Sequence, residues 1–343
     1  MRKLSLDDLN EAAFAVEAAA DLTPGIDPWC SGLDWTIPTK MAFAEQSEPL
    51  ILTWKPPLSD LASFALLALY RSPPQSTVLA GLEPMWGFAS PILTPNPEAA
   101  MPYLMRYLID NEDFDTIVLP GMPHPNRRSD LGARIVDPLS GFGPVLMGEG
   151  ITRQIVDLTI DGSDHSLRFD KWLGRRSSRF RRNLKQAASQ ANNAGLCFED
   201  VSRPSNPDLL FDRLLAIEHQ TWKGQDNSGI TSPEMANMYR LSIGRLAKAG
   251  RLRAHIAIVD GNDVGYIVGG VRARRYRGLQ ISYTQQARQY SVGNLLQAHQ
   301  LHLLCESDEV DVYDMGMDMD YKRRWADRTD ETVTFLVRGD TNT

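Results

Sequence analysis

The sequence predicts an α/β protein of the α+β type, built from two domains. Three observations predict this fold class. The chain has 343 residues, which is long for one compact core. The second half reads as helix, strand, helices, three antiparallel strands and a closing turn, helix and strand. The first half carries a shorter strand–helix–strand pattern, and a segment rich in Gly and Pro follows it.

The composition is that of a globular protein without a nucleic-acid or membrane bias. Apolar residues make up 43% and charged residues 23%. A net charge of -7 gives no general attraction to nucleic acid or anionic lipid. The N-terminus lacks the apolar core of a secretion signal, and no apolar run reaches the roughly 18 residues of a membrane span. We expect a cytoplasmic protein with no membrane span.

Three cysteines exclude two common site types. Cys30, Cys197 and Cys305 are odd in number, far apart and in no Cys-x-x-Cys pair. Neither a disulfide framework nor a thiolate zinc site is therefore expected, and a reducing compartment fits best. His299 and His302 are close in sequence, but no carboxylate or third ligand joins them at a suitable spacing, so no metal is expected.

The first half, residues 1–150, is predicted as one domain. A helix, two strands of a hairpin, a second helix and a further strand are expected at residues 7–20, 50–54, 64–70, 99–109 and 116–119. Regular structure is not expected over residues 120–150, because Gly and Pro are frequent there. The domain boundary is placed at the end of that segment.

The second half, residues 151–343, is predicted as the other domain. Helices are expected at residues 169–194, 208–222, 233–249 and 293–307, and strands at 154–160, 196–201, 252–259, 264–271, 278–283 and 310–314. The segment Asp260-Gly261-Asn262-Asp263 has the composition of a hairpin turn.

A Ser/Gly turn between a strand and a helix is the most informative feature. The sequence Tyr290-Ser291-Val292-Gly293-Asn294 follows the strand that ends at Tyr283. A helix that opens there presents unpaired backbone N–H groups to an anion. The pattern therefore favours a site for a nucleotide-linked acyl donor. The alternative is that Ser291 is only the N-cap of the helix.

Several ordered motifs resemble one family. The segment from Ile217 to Gly224, the Tyr290-Ser291-x-Gly293 turn, and Asp314-x-Gly316 followed by Tyr321-Lys322 are similar to the CelD-like acyltransferase domain of the GNAT superfamily, which is related to the FemAB peptidyltransferases. The likeness covers about residues 150–330. It implies tandem GNAT-like domains, each a mixed, mostly antiparallel twisted sheet flanked by helices, with a degenerate first domain.

The resemblance implies where an acyl-CoA donor, acetyl-CoA in the simplest case, would be held. Two strands are expected to splay apart, one leading to Tyr290 and one ending at Asp314. The pyrophosphate would lie on the N–H groups of the helix start. The implied donor-binding residues are Tyr283, Tyr290, Ser291, Gly293, Asn294 and Leu295. The chain departs from the family pattern at Val292, Asn294 and Asp318.

Two residues are expected to take part in the chemistry. Asp314 could deprotonate or orient an acceptor amine, or it could only cap the Gly316 turn. Lys322 resembles a lysine that related families place in the site, where it would stabilise the oxyanion or position the donor. The alternative for Lys322 is a surface lysine beside Arg323 and Arg324.

The acceptor site is expected to draw on three further parts of the chain. The resemblance implies that Glu218, Trp222 and Lys223 form a cleft wall, with a plain amphipathic helix as the alternative. Tyr321 would contact the substrate, with packing as the alternative. Arg175, Arg179 and Arg182 share one side of the basic helix, so Arg179 and Arg182 could bind the phosphates of a nucleotide-sugar acceptor, a phospholipid head group or tRNA. The alternative is a solvated face.

These expectations give one leading function and two others. The leading one is an N-acyltransferase that moves an acyl group from acyl-CoA to an amine acceptor, a small molecule, sugar or precursor of the cell envelope or of a polysaccharide. A second is a FemAB-like transferase that uses aminoacyl-tRNA. A third is a non-catalytic accessory protein of polysaccharide biosynthesis. The oligomeric state has no sequence signal.

Overall fold

The computed structural model describes residues 1–56, 60–72, 76–125, 131–159, 165–221, 224 and 229–338. The chain divides into two compact units. Unit 1 is Met1–Thr152 together with the C-terminal segment from Glu331, and unit 2 is Arg153–Asp330. The prediction had assigned every residue after 150 to the second domain. The last strand belongs to unit 1 instead, because it pairs with strands of that unit.

The described residues form the following elements. The strands are β1 (Arg2–Leu4), β2 (Glu48–Trp54), β3 (Ser63–Ser72), β4 (Ser76–Gly81), β5 (Ile92–Leu93), β6 (Thr116–Pro123), β7 (Val145–Met147), β8 (Ile151–Asp157), β9 (Cys197–Asp200), β10 (Leu252–Val259), β11 (Asn262–Arg272), β12 (Arg275–Tyr283), β13 (Val312–Met317) and β14 (Arg328–Arg338). The helices are α1 (Leu6–Glu11), α2 (Ala13–Leu22), α3 (Leu33–Phe43), α4 (Pro97–Asn111), α5 (Leu131–Ser140), α6 (His165–Gly174), α7 (Ser178–Asn193), α8 (Pro207–Glu218), α9 (Pro233–Lys248), α10 (Val292–Glu306) and α11 (Asp320–Arg323).

Each unit contains a mixed sheet of the same plan. In unit 1 the order is β1-β2-β3-β4-β6-β14, with β5 beside β3 and β7 beside β14. In unit 2 it is β8-β13-β12-β11-β10-β9. The pair β4–β6 and the pair β12–β13 run parallel, and the other neighbours run antiparallel. The predicted fold class, α/β with mostly antiparallel sheets flanked by helices, is confirmed.

Local sequence explains the best-predicted elements. The hairpin of β10 and β11 turns on Asp260 and Gly261, whose φ angles are 50° and 74°. Both angles are positive, as a tight two-residue hairpin turn requires, and Asp-Gly is a preferred pair for it. Helix α10 packs on the sheet through Val292 and Leu296, which lie in one buried cluster with Ala257 and Ile267. The helix that follows the Ser/Gly turn is therefore fixed along its length.

Two predicted elements were wrong. The basic helix expected over residues 169–194 is two helices, α6 and α7, because Ser177 caps α7 by accepting the Phe180 N–H at 3.2 Å. Trp172, near the end of α6, stacks on Trp325. The segment 120–150 was expected to lack regular structure, yet it contains α5, β7 and part of β6. Its prolines Pro120 and Pro123 lie inside the strand β6.

In unit 1 the parallel pair separates early, and the chain itself fills the gap. The ladder of β4 and β6 joins Val78–Thr116, Leu79–Ile117 and Ala80–Val118. Beyond it, a Cβ at Gly121 would lie 2.6 Å from the backbone of Ala89 and of Ser90, so the loop after β4 lies directly against β6.

A buried carboxylate holds that loop in place. Glu83 accepts backbone N–H groups from Met85 at 2.8 Å, Trp86 at 2.6 Å and Phe88 at 2.9 Å. Burial raises the pKa of the Glu83 carboxyl, and these N–H groups counter the rise. Backbone of the same unit thus lies in the gap between the strands of unit 1. No described helix is long and apolar enough to cross a membrane.

The contact at Gly121 predicts a stability difference between two glycine substitutions. Gly121→Ala should lower the free energy of unfolding by about 2–4 kcal/mol, because a left-handed φ and a backbone clash both oppose the new Cβ. Gly195→Ala is the matched control, since Gly195 also has a positive φ but nothing within 4 Å of its Cβ position. It should cost only about 1–2 kcal/mol. Equal shifts of the urea midpoint would show that the loop does not press on β6.

Candidate functional site

The parallel pair of unit 2 separates in the same way, after three residues. The ladder joins Arg275–Val312, Tyr276–Tyr313 and Arg277–Asp314. Both strands then continue, β12 to Tyr283 and β13 to Met317, without further pairing to each other. We call the space between the unpaired ends, residues 278–283 and 315–317, the wedge. Its strand edges carry backbone groups that an extended ligand can use.

The Ser/Gly turn lies after β12 and opens α10. Ser291 stands at the N-cap position with φ 55° and ψ 35°, a left-handed conformation that is uncommon for a residue other than Gly. Its side chain makes no capping hydrogen bond. Ser291 is thus the N-cap residue of the helix, as the alternative interpretation expected, but its hydroxyl does not cap the N–H groups of the first turn.

The structure changes which N–H groups of the helix start could bind a pyrophosphate. Asn294 and Leu295 donate their N–H groups to the carbonyl oxygen of Ser291, at 2.9 and 3.2 Å. The side chain of Leu295 is buried with Ala187 and Ala191. Neither N–H is available to a ligand, so the donors at the helix start are those of Val292 and Gly293.

Tyr283 and Gly293 form a close contact at the mouth of the wedge. A Cβ at Gly293 would lie 2.6 Å from Cε1 of the Tyr283 ring. Glycine is needed here because any side chain would push the ring away. Tyr290 packs at the edge of the core beside α10, which gives it a supporting position.

Asp314 is a buried ion-pair centre and not an accessible base. Its side chain is fully buried, and its oxygens pair with Arg153 and, at 2.8 Å, with Arg277. Arg275 is 3.7 Å away, and the Gly316 N–H donates to Oδ1 at 2.8 Å. A carboxylate bound in this way cannot reach an acceptor amine. The predicted catalytic role of Asp314 is therefore replaced by a positioning role at the end of the β12–β13 ladder.

The residues after β13 are arranged around the same strand end. Lys322 donates from Nζ to the carbonyl oxygen of Met317 at 3.0 Å, and its ammonium lies 5.8 Å from the centre of the Tyr321 ring. Burial, and secondarily the nearby Tyr283, raise the pKa of the Tyr321 phenol. Asp318 is paired with Arg323 at 2.6 Å, which lowers the pKa of its carboxyl. Because the positive charge of Arg323 balances that of the Asp318 carboxylate, Asp318 repels a phosphate less than the sequence alone suggested.

Helix α7 and the start of α10 line an open cavity of about 500 Å³ within unit 2. It is lined by Ser177, Arg179, Phe180, Asn183, Leu184, Gln186, Ala187, Gln190, Ser291, Asn294, Arg324 and Trp325. We call it the α7–α10 cavity. Arg324 donates to the Asn294 amide oxygen at 3.1 Å. Arg179 was predicted on the acceptor side, yet it lies with the Ser/Gly turn. Arg182 is exposed and does not line the cavity.

The remaining predicted residues lie elsewhere. Arg175 does not share a face with Arg179, because it lies in the break between α6 and α7 and pairs with Asp327 at 3.3 Å. Glu218 is fully buried and accepts hydrogen bonds from the Tyr266 hydroxyl at 2.9 Å and from Gln280 at 3.2 Å. The carboxylate of Glu218 is thus a core group, and the predicted cleft wall is wrong for it. Trp222 and Lys223 lie outside the described residues.

Sequence reasoning missed the arginines of the site. Strand pairing brings Arg153 close to Arg275 and Arg277, which lie more than 120 positions later in the chain. No local sequence pattern predicts this contact. Arg324 belongs to a quoted motif but was read only as a neighbour of Lys322. No group of three or more metal-ligating side chains occurs among the described residues.

Comparison with known proteins decides the family. Residues 178–323 match the family described as acetyltransferase (GNAT) domain. Residues 178–323, less than half of the chain, are therefore a GNAT domain. The matched region holds the wedge, the Ser/Gly turn and most of the lining of the α7–α10 cavity, and this domain makes the protein an acyltransferase.

Solved structures share the whole fold at low identity. FemX has 12% identity and a TM-score of 0.62, over 99% of this chain and 96% of FemX. A conserved protein of unknown function from Bacteroides thetaiotaomicron has 10% identity and a TM-score of 0.56, over 98% of this chain and 99% of that protein. The C-terminal domain of a putative lysylphosphatidylglycerol synthetase from Agrobacterium fabrum has 13% identity and a TM-score of 0.50, over 88% of this chain and 90% of that domain. No curated protein sequence matches the chain. The likeness to FemX shows a shared fold over nearly the whole chain.

The burial of Asp314 predicts a loss of stability on neutralisation. Asp314→Asn should lower the free energy of unfolding by about 3–5 kcal/mol, because the buried guanidinium groups lose their counter-charge. Asp311→Asn is the matched control: this carboxylate pairs with the exposed Arg274 at 2.5 Å, and its loss should cost about 1 kcal/mol or less. Denaturant titration measures both. If Asp314→Asn matched the control in stability and altered the pH profile of acyl transfer, Asp314 would be the base after all.

Proposed function

We propose that this GNAT protein transfers an acyl group, acetyl in the simplest case, from acyl-CoA to an amine acceptor such as a sugar or a precursor of the cell envelope. The observation that carries the proposal is the early end of the β12–β13 ladder beside the uncapped start of α10. The wedge offers an extended channel and the helix start offers an anion site. A thioester joined to a diphosphate by a long thin arm has the shape that these two features require.

The donor end of the proposal rests on backbone groups. The N–H groups of Val292 and Gly293 begin α10, where the partial positive charge of the helix favours a diphosphate. The arm of CoA would run from there between β12 and β13. Unpaired peptide groups on the two strand edges would hydrogen-bond to its amides. Tyr283 borders this path where it contacts Gly293, and Tyr321 lies close to Tyr283.

The chemistry would be a direct displacement. The neutral amine attacks the thioester carbonyl carbon, the C–N bond forms, the C–S bond breaks, and the CoA thiolate takes a proton as the amine loses one. Positioning within the wedge would provide much of the acceleration, since two reactants held in register avoid the cost of encounter. Lys322 remains the candidate for stabilising the oxyanion, because its ammonium is fixed at the end of β13.

An aminoacyl-tRNA donor is the second candidate. Arg182 and Lys185 lie exposed on α7, and neither has an ion-pair partner among the described residues. Cations along one helix suit a polyanion. This donor predicts affinity for tRNA that falls steeply with salt concentration. A protein that bound neither CoA nor tRNA, and released no thiol with any amine, would favour the non-catalytic accessory role.

A charge placed at Gly293 tests the donor site. Gly293→Asp and Gly293→Asn both displace the Tyr283 ring and differ only in charge. Calorimetric titration with acetyl-CoA should show Gly293→Asp at least about 10-fold weaker than Gly293→Asn, because a carboxylate repels the diphosphate. Equal affinities would remove the diphosphate from the start of α10.

A second variant separates binding from chemistry in the same titration. Lys322→Met should leave the affinity for acetyl-CoA unchanged and lower kcat by about 10²-fold, as expected for loss of an oxyanion-stabilising group. A variant with unchanged kcat would reduce Lys322 to its structural contact with Met317.

A further inference from the structure

A buried carboxylate lies beside the unpaired part of β12. Glu218, at the end of α8, is fully buried, and it forms no ion pair with any residue that the structure describes. Its two oxygens accept one hydrogen bond each, from the Tyr266 hydroxyl at 2.9 Å and from the Gln280 side-chain amide at 3.2 Å. Burial, and secondarily the charge of Glu218, raise the pKa of the Tyr266 phenol well above its usual value, so Tyr266 is a donor. Two neutral donors therefore satisfy this carboxylate.

The bond to Glu218 fixes the orientation of the Gln280 amide. A carboxylate only accepts hydrogen bonds, so Gln280 has to direct its NH2 group at Glu218 and its carbonyl oxygen elsewhere. Among the described parts of the chain, no group donates a hydrogen bond to that oxygen. Because Gln280 is half-buried and the oxygen is not enclosed by protein, a ligand can reach it. The amide oxygen is thus an acceptor held in one orientation.

Gln280 lies in the wedge, on the face of the sheet opposite α10. Successive residues of a strand point to opposite faces. Ile281 packs against the cluster that contains Val292 of α10, whereas Gln280 contacts α8. A register shift between β11 and β12 leaves Leu279 without a partner residue, and its carbonyl oxygen accepts the Tyr239 hydroxyl of α9 at 2.9 Å. Helices α8 and α9 therefore support this part of the wedge from the side that α10 does not cover.

We propose that Gln280 binds the acceptor amine: its amide oxygen accepts a hydrogen bond from an N–H of the nucleophile, and Glu218 is the positioning residue that holds the amide in this orientation. The inference rests on the proposed function, because it takes the donor arm to lie between β12 and β13. With α10 on one face of the sheet, the amine approaches the thioester from the face of α8.

A hydrogen bond of this kind directs the lone pair of the amine. An amine that donates one N–H to a fixed oxygen has its lone pair turned away from that oxygen, and a nucleophile held in this way attacks without the cost of orientation. The amide of Gln280 takes no proton. The C–N bond forms and the C–S bond breaks as before, and the CoA thiolate receives the proton that the amine loses.

Two variants that each remove one hydrogen bond from Glu218 test the proposal. Gln280→Met keeps the length of the side chain without the amide, and Tyr266→Phe is the matched control without the hydroxyl. Thiol release is measured at saturating acetyl-CoA with glucosamine, lysine and ethanolamine as separate amines. Gln280→Met should raise KM for the amine at least about 5-fold, the effect of one lost hydrogen bond, and Tyr266→Phe should leave it within about 2-fold. Both should bind acetyl-CoA like the wild-type protein in calorimetric titration.

A third variant tests whether Glu218 acts through Gln280. Glu218→Gln keeps the shape of the side chain, but its amide can face Gln280 with either its oxygen or its nitrogen, so the orientation of Gln280 is no longer imposed. KM for the amine should rise by a smaller factor than in Gln280→Met, with the affinity for acetyl-CoA unchanged. An unchanged KM would overturn the positioning role of Glu218.

The outcomes separate this inference from the proposed function. Amine-dependent thiol release with equal KM values in Gln280→Met and Tyr266→Phe overturns the contact and leaves acyl transfer standing. Weaker binding of acetyl-CoA in Gln280→Met also overturns it, because the residue would then support the donor path. If the wild-type protein released no thiol with any of the three amines, the proposed function would be contradicted, and this inference with it.

Discussion

The buried ion pairs of Asp314 determine where the site can open. The Arg277–Asp314 position is the last joined pair of the β12–β13 ladder, and the same carboxylate also takes Arg153 and the Gly316 N–H. Gly316 has φ 79°, a conformation that turns the strand and breaks its pairing register with β8. Strands β12 and β13 are thus paired up to Arg277 and Asp314 and are unpaired beyond them. A shift of the ladder would leave these buried charges without partners, which opposes such a shift.

The two units use one plan with opposite outcomes. Each joins its parallel strands for three residues and then lets them separate. In unit 1 the connection to the next helix is residues 82–96, long enough to form β5 and to lie against Gly121. In unit 2 the connection is residues 284–291, which lead directly through a short 3-10 turn into α10. The longer connection of unit 1 lies in the gap between its parallel strands, and the shorter connection of unit 2 leads straight into the helix. We propose that the first unit is degenerate as a donor site for this reason.

The elements that depend on interactions between neighbouring residues were predicted from the sequence. The Asp260-Gly261 turn, the position of α10 and the strands around it follow from turn chemistry and apolar spacing. The break at Ser177 was missed because Trp172 and Trp325, 153 positions apart, fix the two helices by stacking. The role of Asp314 was missed because its partners arrive on other strands. The placement of Arg179 in the α7–α10 cavity depends on how α7 packs on α10, which no single helix reveals.

Exchange of the backbone amides at the start of α10 tests the central claim most directly. With saturating CoA, the N–H groups of Val292 and Gly293 should exchange with deuterium at least about 10-fold more slowly, because they would be hydrogen-bonded to the diphosphate. Asn294 and Leu295, already bonded to Ser291, should change little. Unaltered exchange at Val292 and Gly293 while CoA is bound would contradict the account, since the donor would then lie outside the wedge.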